Sequence, residues 1–339
     1  MKKIAVIGAG LQAKRRIPAI IEDPDYELVC IVDRKEERAK GLAEEFGKNI
    51  LTSTDWNSVI QNPEIAAVLI LTYPDTHAEI AIAAMEAGKD VLCEKPLSRN
   101  EDEAKEMVEV SQKTSRVLKC GFNHRFHPAV LEAHRLFQSG KIGKALFGRG
   151  RYGIAGRKGI ESEWRSDPKI VSGGQLMEQG IHLVDLFRWF FGETKRVTGM
   201  RATNHWPLPT PLEDNGFILM QNAEGVIASI HSSLTQWINL FEFEIYGEKG
   251  SLTVHGLGAS YGVEKLIVSE HDANGPFSYQ TFEFRGGDAS WKSEWKDFTR
   301  AMCDRSSPIG TGQDGWRAMQ IVNAAYAAAR DGRTVDLTS

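Results

Sequence analysis

The amino-acid sequence predicts a two-domain α/β protein, with a doubly wound parallel sheet followed by an α+β domain that has a large, mostly antiparallel open sheet. The chain has 339 residues, more than a single core usually holds. Its first third alternates near-continuous apolar runs with amphipathic segments, and the rest alternates apolar and polar residues between turn signals. These observations place the first domain at residues 1–122 and the second at residues 123–339.

The apolar runs of the first domain predict parallel strands, because such strands are covered on both faces. The runs cover residues 4–8, 28–32, 66–71, 90–94 and 117–121. Amphipathic segments between them predict helices, one followed by Gly88 as a C-terminal cap and one preceded by Ser98 as an N-cap. Strand and helix alternating at this spacing favour a doubly wound parallel sheet.

The second domain begins with a predicted helix at about residues 128–138 and continues in β-rich stretches. Turn signals at residues 222–225 and 247–250 predict β-hairpins, hence an antiparallel sheet. Two helices are predicted to close the chain, near residues 288–303 and 313–330, and the second is a candidate to pack back on the first domain.

Composition limits the classes of partner. Apolar residues make up 42% of the chain and charged residues 25%, as in ordinary globular proteins, and the net charge of −4 provides no basic field for nucleic acid or an anionic membrane. No apolar stretch approaches the ~18 residues of a membrane span, and the N-terminal apolar run is too short and too soon followed by charge for a signal peptide. Four cysteines without a CxxC pattern indicate reduced thiols, so we expect a cytoplasmic protein with a small-molecule or protein partner.

A glycine motif follows the first predicted strand, where residues 8–13 fit G-x-G-x-x-G/A. Gly8 permits a tight turn, Gly10 lets the backbone approach a pyrophosphate, and the small Ala13 lets the helix pack closely on the strand. Asp33 ends the second strand, 23 residues after Gly10, where a carboxylate can accept hydrogen bonds from both ribose hydroxyls. The segment predicts dinucleotide binding. Leu11 and Gln12, which open the following helix, are further candidates for cofactor contact.

Asp33 favours NAD as the cofactor, because a carboxylate repels a 2′-phosphate. Arg34, Lys35 and Arg38 could pair with such a phosphate if Asp33 turned away, so NADP stays the alternative. Ligands of open α/β sheets bind at the carboxyl ends of the strands. The further cofactor candidates at this edge are Thr72, Pro74, His77, Glu94 and Lys95. For His77, a polar position at a helix start is an equal alternative.

Lys95 stands between Glu94 and Pro96, directly after an apolar run. A lysine before proline is by itself more typical of a solvated turn. An X-Pro bond can adopt the cis form and fix the direction of the lysine, and the carboxyl edge of the sheet would bring the amine to the nicotinamide. Lys95 is therefore a candidate catalytic residue.

Glu178 and His182 lie four residues apart, and they share a helix face if the helix has begun by Glu178. A carboxylate so placed can orient an imidazole as a general base near neutral pH. A histidine that simply packs at a helix start is the alternative. Asp185 would then be a structural partner in the next turn.

His124 and His127 lie in the segment 121–128, where domains should cross. Arg125 stands between them and no third ligand has a supporting spacing, so we predict no metal site. Asn123 and Arg125 are interpreted as hydrogen-bond donors to a substrate. Further candidates for the substrate wall are Trp164, Arg165 and Trp237, since aromatic rings stack on sugars and arginine binds carboxylate or phosphate. Core or solvated surface is the alternative for these three and for Arg125.

Together these segments resemble the Gfo/Idh/MocA family of oxidoreductases over almost the whole chain. The segments that carry the resemblance are GAGLQA, TYPDTH, CEKPLS, GFNHRFHP, GGQLMEQGIHLVDLFRWFFG, EDNGF and IYGEKGSL. The resemblance implies a Rossmann domain, then a domain whose open sheet forms the substrate floor and an oligomer interface, so a homodimer or homotetramer. It also implies hydride transfer between a sugar or cyclitol hydroxyl and NAD(P), with Lys95 stabilising the oxyanion and His182 as acid/base. Glu178, assigned as catalytic, stands where many members have Asp.

Three alternatives to a dehydrogenase stay open. The first is an NAD-retaining glycosidase of the same architecture, and the second is a keto-sugar reductase in a biosynthetic pathway. The third is a non-catalytic NAD-binding sensor, which the presence of both Lys95 and His182 disfavours.

Overall fold

A computed structural model describes residues 1–47, 49–272 and 275–337 and divides the chain into two compact units. The first unit comprises Met1–Asn123 and Trp291–Trp316, and the second comprises His124–Ser290 and Arg317–Ser339. The sequence places the whole of 291–316 in the second domain, so the structure differs from the prediction there.

The first unit contains a six-stranded parallel sheet in the described part of the chain, with strand order β3-β2-β1-β4-β5-β6. The strands are β1 Lys2–Ile7, β2 Tyr26–Val32, β3 Leu51–Ser53, β4 Ile65–Ile70, β5 Asp90–Cys93 and β6 Leu118–Cys120. This order confirms the doubly wound sheet: successive strands are added on one side of β1 up to β3 and on the other side from β4 onward, while all strands stay parallel. The sequence missed β3, because three residues are too short for a periodic pattern to register.

Helices connect these strands, as a parallel sheet requires. They are α1 Leu11–Ile21, α2 Glu36–Phe46, α3 Trp56–Gln61, α4 Pro74–Glu86 and α5 Glu101–Thr114. Pro18 lies inside α1, and the helix continues through it. The six-residue α3 was not predicted, and Asp55 caps it by accepting a hydrogen bond from the Asn57 amide.

Residues 291–316 join the first unit through apolar and ionic contacts. Trp295, Phe298 and Met302 of helix α8, Ser290–Asp304, belong to the same core as Ile17 of α1 and Leu28 of β2. An amphipathic pattern shows that a helix has an apolar face but does not show which domain that face covers. The sequence therefore predicted this helix but not the unit with which it packs.

The second unit contains a nine-stranded sheet among the described residues, in the order β14-β13-β12-β11-β7-β10-β9-β8-β15. The strands are β7 Ala145–Ala155, β8 Thr194–Ala202, β9 Asn215–Asn222, β10 Ile227–Ser233, β11 Thr235–Gly247, β12 Gly250–His255, β13 Glu264–Glu270, β14 Ser278–Phe284 and β15 Val335–Asp336. Neighbours pair antiparallel except β7 and β10, which are parallel. The mostly antiparallel sheet and both hairpins are thus confirmed.

Helices cover one face of this sheet. They are α6 Pro128–Gln138, α7 Ile181–Phe191 and α9 Gly312–Asp331, and a π-helical turn at Leu176–Gly180 leads into α7. Helix α7 lies so close to β7 that a Cβ atom at Gly148 would come within 2.4 Å of the Phe187 ring. The first residues of α9, up to Trp316, group with the first unit, and Arg317 onward groups with the second. Among the described residues, no helix is long and apolar enough to cross a membrane.

Candidate active site

The glycine loop of the first unit has the space that a pyrophosphate needs. Gly8 has φ +107°, and a Cβ atom there would lie 2.6 Å from the Leu71 carbonyl, so only glycine fits. A Cβ atom at Gly10 would meet no atom within 4 Å, which leaves open space in front of the N-terminus of α1. The loop residues present therefore fit a bound dinucleotide. Leu11 is exposed beside this loop.

Asp33 lies at the end of β2 and faces the glycine loop. Its Oδ2 accepts a hydrogen bond from the Ala9 amide at 2.9 Å, and its Oδ1 accepts one from the Lys35 amide at 2.9 Å. The backbone thus fixes the carboxylate next to the loop, where it opposes a 2′-phosphate. The Arg34 guanidinium lies 5.1 Å from the centre of the Tyr73 ring, and Arg38 is exposed on α2.

The ends of β4 and β5 are joined by His77. Its buried ring places Nδ1 3.0 Å from the Pro96 carbonyl oxygen and Nε2 3.3 Å from that of Thr72, and burial lowers the pKa of the imidazole. Pro74 occupies the first turn of α4, as its fixed φ favours. His77 therefore braces the loops that carry Thr72 and Lys95, and its expected cofactor contact stays a prediction.

Lys95 lies two residues after Cys93, the last residue of β5, and the Lys95–Pro96 peptide bond is cis. The Glu94 amide continues the sheet by donating to the Ile70 carbonyl at 2.9 Å. The Glu94 side chain, which the sequence assigns to the cofactor, is buried and paired with Arg16 at 2.6 Å. Glu94 thus has an internal partner that the strand pattern could not reveal.

His182 is buried in the first turn of α7, in the second unit. Its ring stacks on the His124 ring, with centroids 3.7 Å apart and planes 21° from parallel, and Tyr152 contacts both rings. From the sequence, metal binding was the only role weighed for His124. The spacing of residues along the chain does not show that its ring stacks on that of His182. A flat, buried imidazole held by aromatic neighbours has the fixed orientation that proton transfer needs.

Glu178 lies in the π-helical turn that precedes α7, whereas His182 lies in the first turn of α7 itself. Its Oε1 accepts a hydrogen bond from Arg165 Nε at 3.2 Å. Gly180 permits this turn to approach β10, because a Cβ atom there would lie 2.8 Å from Leu176 and 3.1 Å from Ser232. π-Helical turns often occur at functional sites.

Arg125 is held by Asp185 in a buried, two-pronged ion pair. Arg125 donates through Nε to Oδ2 at 2.7 Å and through Nη2 to Oδ1 at 2.6 Å. The sequence predicts a substrate donor at Arg125, whereas the structure gives this guanidinium a carboxylate partner on α7. Asp185 is the structural partner that the sequence indicated.

The remaining candidates are Trp164, Arg165, Trp237 and Asn123. Arg165 lies 4.3 Å above the half-buried Trp164 ring, and Trp237 is 58% exposed with φ +62° at an irregularity in β11. The Trp237 ring contacts the His205 ring edge-on at 5.0 Å. Asn123, buried, is the last residue of the first unit's opening segment. Their expected roles in substrate binding stay predictions.

A buried carboxyl group beneath the segment that leads to His182 was missed. Glu213 Oε1 accepts hydrogen bonds from the Leu176 amide at 2.8 Å and the Tyr326 hydroxyl at 2.9 Å, and burial raises its pKa to about 7. A Cβ atom at Gly174 would lie 2.4 Å from Glu213 Oε2, which explains why glycine stands there. The only sequence signal was the acidic start of the EDNGF segment.

Comparisons with known proteins agree with this geometry. Residues 2–122 match the profile described as "Oxidoreductase family, NAD-binding Rossmann fold", and residues 130–253 match the GFO/IDH/MocA C-terminal domain. The chain is 32% identical to a levoglucosan dehydrogenase of Pseudarthrobacter phenanthrenivorans over 284 residues, covering 74% of this chain and 72% of that protein. It is 25% identical to a myo-inositol 2-dehydrogenase of Thermotoga maritima, covering 99% and 98%.

Solved structures give the same result. A levoglucosan dehydrogenase in complex with NADH is 27% identical, with a TM-score of 0.90 and 99% of each chain covered. A second structure of that enzyme, with NADH and levoglucosan, is 26% identical, also with a TM-score of 0.90 and 99% of each chain covered. Both domains, the NAD-binding loop and these relatives agree, and the chain therefore belongs to the GFO/IDH/MocA oxidoreductase family, with an NAD-binding Rossmann domain at its N-terminus.

Proposed function

We propose that this chain is an NAD-dependent dehydrogenase that oxidises a hydroxyl group of a neutral sugar or cyclitol. The observation that carries the proposal is the glycine loop, with open space at Gly10 and the Asp33 carboxylate fixed beside it, in a chain of this oxidoreductase family. The relatives named levoglucosan and myo-inositol dehydrogenases support the substrate class.

The residues that would hold the dinucleotide are the loop from Gly8 to Gln12 and Asp33, with the ends of β4 and β5 completing the edge. The bound nicotinamide supplies a carbon that accepts the hydride.

Asp33 favours NAD over NADP, because its carboxylate is held by two backbone amides and does not rotate freely. Asp33→Ser should lower the preference for NAD+ over NADP+ by at least about 10-fold in kcat/KM, since the repulsion between the Asp33 carboxylate and a 2′-phosphate is worth roughly that much. An unchanged ratio would contradict this role.

His182 and Lys95 are proposed to serve the same oxidation. His182 takes the hydroxyl proton, because its buried ring is held flat against His124. Lys95 stabilises the negative charge that develops on the substrate oxygen, because its ammonium group follows the carboxyl end of β5. In the reductive direction the same two residues would donate the proton and polarise the carbonyl.

Glu178 is proposed to contact substrate directly or to neutralise Arg165, instead of bracing His182. Its side chain is one methylene longer than the family's usual Asp, and its carboxylate pairs with Arg165. Glu178→Asp should then change KM for the sugar more than kcat, since the shorter side chain alters how far the carboxylate extends but leaves proton transfer to His182 unchanged.

The arginines of the second unit support an uncharged substrate. Arg125 pairs with Asp185, Arg165 with Glu178, and Arg157 with Glu163 through two hydrogen bonds of 2.6 and 2.5 Å. An arginine that already has a carboxylate partner is a poor receptor for a carboxylate or phosphate. We therefore propose a neutral polyol and not a uronate or a sugar phosphate.

A screen of NAD+ reduction at 340 nm over cyclitols, aldoses, anhydrosugars, uronates and glycosides tests the proposal. Lys95→Ala and His182→Ala should each lower kcat/KM on the substrate found by about 10²–10³-fold, as loss of an oxyanion donor or a general base does. Wild-type rates in both variants would refute the assignment. Cleavage of a glycoside without net NADH would instead indicate the glycosidase alternative.

The open face of the second unit's sheet is proposed to bind a second copy of this chain. Met200, Phe217 and Leu219 are exposed there, Met200 to 76%, next to the Arg149–Glu244 and Arg151–Glu242 pairs. A face that offers both charges beside apolar groups can be self-complementary in a two-fold dimer. Light scattering should show a dimer or larger assembly that Phe217→Lys dissociates, whereas a monomeric wild type would contradict the proposal.

A further inference from the structure

A buried ion cluster lies next to Lys95 in the first unit. Arg16 of α1 is 3% exposed, and it donates through Nε to Glu94 Oε1 at 2.8 Å and through Nη1 to Glu294 of α8. The Trp291 ring covers the guanidinium at 4.8 Å. A Cβ atom at residue 121 would lie 2.9 Å from Arg16 Nη2, so Gly121 makes room for this group. Sequence reasoning gave Arg16, Glu294 and Gly121 no role.

Two buried carboxyl groups, those of Glu94 and Glu294, contact the one guanidinium of Arg16. Burial raises the pKa of Glu294, and the neighbouring charge of Glu94 adds to this effect, while Arg16 and Lys119 oppose it. Lys119 pairs with Asp297 at 3.1 Å, and Asp297 also pairs with Arg300. Arg16 is therefore the group that holds both Glu94 and Glu294 in this buried cluster.

The Glu94 carboxylate also contacts the backbone of the next residue. Its Oε2 accepts a hydrogen bond from the Lys95 amide at 3.3 Å, while its Oε1 is held by Arg16. On the other side, the Glu94 amide is bonded to Ile70 in the sheet. The position of Lys95 at the strand end is thus connected to α1, the helix that begins at the glycine loop.

We propose that Glu94 and Arg16 are positioning residues for Lys95, and that Glu94 is not a cofactor ligand. This inference rests on the proposed function of Lys95. Arg16 fixes one carboxylate oxygen of Glu94, and the second carboxylate oxygen of Glu94 fixes the Lys95 backbone. The ion pair thereby sets where the lysine amine lies. The same guanidinium joins the helix that would bind pyrophosphate to the residue that would polarise the substrate oxygen.

Glu94→Gln and Glu294→Gln form a matched pair, because both carboxyl groups contact the same guanidinium and both are buried. In Glu94→Gln, Glu294 still pairs with Arg16, so the unit should fold, while the weaker hold of the amide on Arg16 and on the Lys95 backbone lowers kcat by about 10- to 100-fold. The dissociation constant for NADH, measured by fluorescence titration, should stay within about twofold. Glu294→Gln should match wild type in kcat and NADH affinity, because the hydrogen bonds that run from Arg16 through Glu94 to the Lys95 amide do not include Glu294.

Arg16→Lys is a second variant that keeps a buried cation but cannot hold Glu94 through two adjacent N–H groups. It should lower kcat with NADH affinity unchanged, which keeps the test decisive if Glu94→Gln folds poorly. Wild-type kcat in Glu94→Gln, or a tenfold weaker NADH affinity at unchanged kcat, would overturn the positioning role. Lys95→Ala measured alongside separates the two proposals: if it is slow while Glu94→Gln is not, only the positioning role fails, and wild-type turnover in Lys95→Ala refutes the proposed function of the lysine itself.

Discussion

Replacing Glu213 by glutamine should change how the stability of the second unit depends on pH. The Glu213 side chain is 1% exposed, and burial raises its pKa from 4.5 to about 7 against the hydrogen bonds from Leu176 and Tyr326. Arg201, whose guanidinium lies 5.2 Å from the Tyr326 ring, also opposes the rise. The carboxyl group is therefore protonated in the native state at pH values where the unfolded chain has lost that proton.

The sign of the effect follows from this difference. Stability from a carboxyl group whose pKa is raised on folding is fully present below its unfolded pKa and is lost as pH rises through its folded pKa. For Glu213, the window runs from pH 4.5 to about 7. At about 1.4 kcal/mol per pH unit, the loss amounts to about 3 kcal/mol. Glutamine has nearly the same shape and cannot ionise, so Glu213→Gln removes this loss.

Guanidinium chloride unfolding followed by tryptophan fluorescence at pH 5 and pH 8 measures the effect. The stability of Glu213→Gln relative to wild type should improve by about 3 kcal/mol between the two pH values. Asp214→Asn is a control whose effect should not change between these two pH values. Burial acts to raise the pKa of Asp214, but the backbone amides of Asn204, Trp206 and His205 outweigh it and lower the pKa below its usual 3.8, so the stability that the carboxylate contributes is present at both pH 5 and pH 8 and is lost only in more acidic solution. Parallel pH profiles for Glu213→Gln and wild type would refute the reasoning.

Two further predictions use matched pairs. Arg125→Met should cost about 3–5 kcal/mol in the free energy of unfolding, because it leaves Asp185 buried without its cation, whereas Arg149→Met, at a pair where the arginine is 56% exposed, should cost less than about 1 kcal/mol. Equal costs in denaturant titrations would contradict the burial argument. Gly10→Ala should keep the wild-type Tm but weaken NADH binding by about 10-fold or more, because its Cβ points into open space, whereas Gly8→Ala should lower Tm as well. Unaltered NADH affinity in Gly10→Ala would show that the open space is not the pyrophosphate site.

Local sequence signals predicted most elements of the fold because the signals are themselves local. The helix predicted at about residues 128–138 is α6, Pro128–Gln138, since proline favours the first helical turn. The turn at residues 247–250 joins β11 to β12, as its glycines require. The same reasoning missed β3 and placed residues 291–316 in the wrong unit, because short elements have no period and an apolar helix face does not identify the surface that it covers.

The candidate site divides in a similar way. The spacing of Gly8, Gly10 and Asp33 predicted a loop and a carboxylate that the structure places side by side, because both follow adjacent strands of one sheet. The partners of Glu94 and Arg125 could not be predicted. Arg16 lies 78 residues from Glu94, and Asp185 lies 60 residues from Arg125. The distance along the chain gives no information on which buried charges meet.

The sequence by itself determined the two kinds of sheet and the dinucleotide loop, because these depend on periodicity, turn chemistry and position at strand ends. It made Lys95 and His182 candidate catalytic residues through the resemblance of their segments to the family. Only the tertiary structure decided which charged groups are already paired, that His182 stacks on His124, and that Glu213 lies buried beneath the segment leading to α7. The physical reason is that burial and long-range pairing set the energy of a charge or a ring, and both arise only when distant segments pack together.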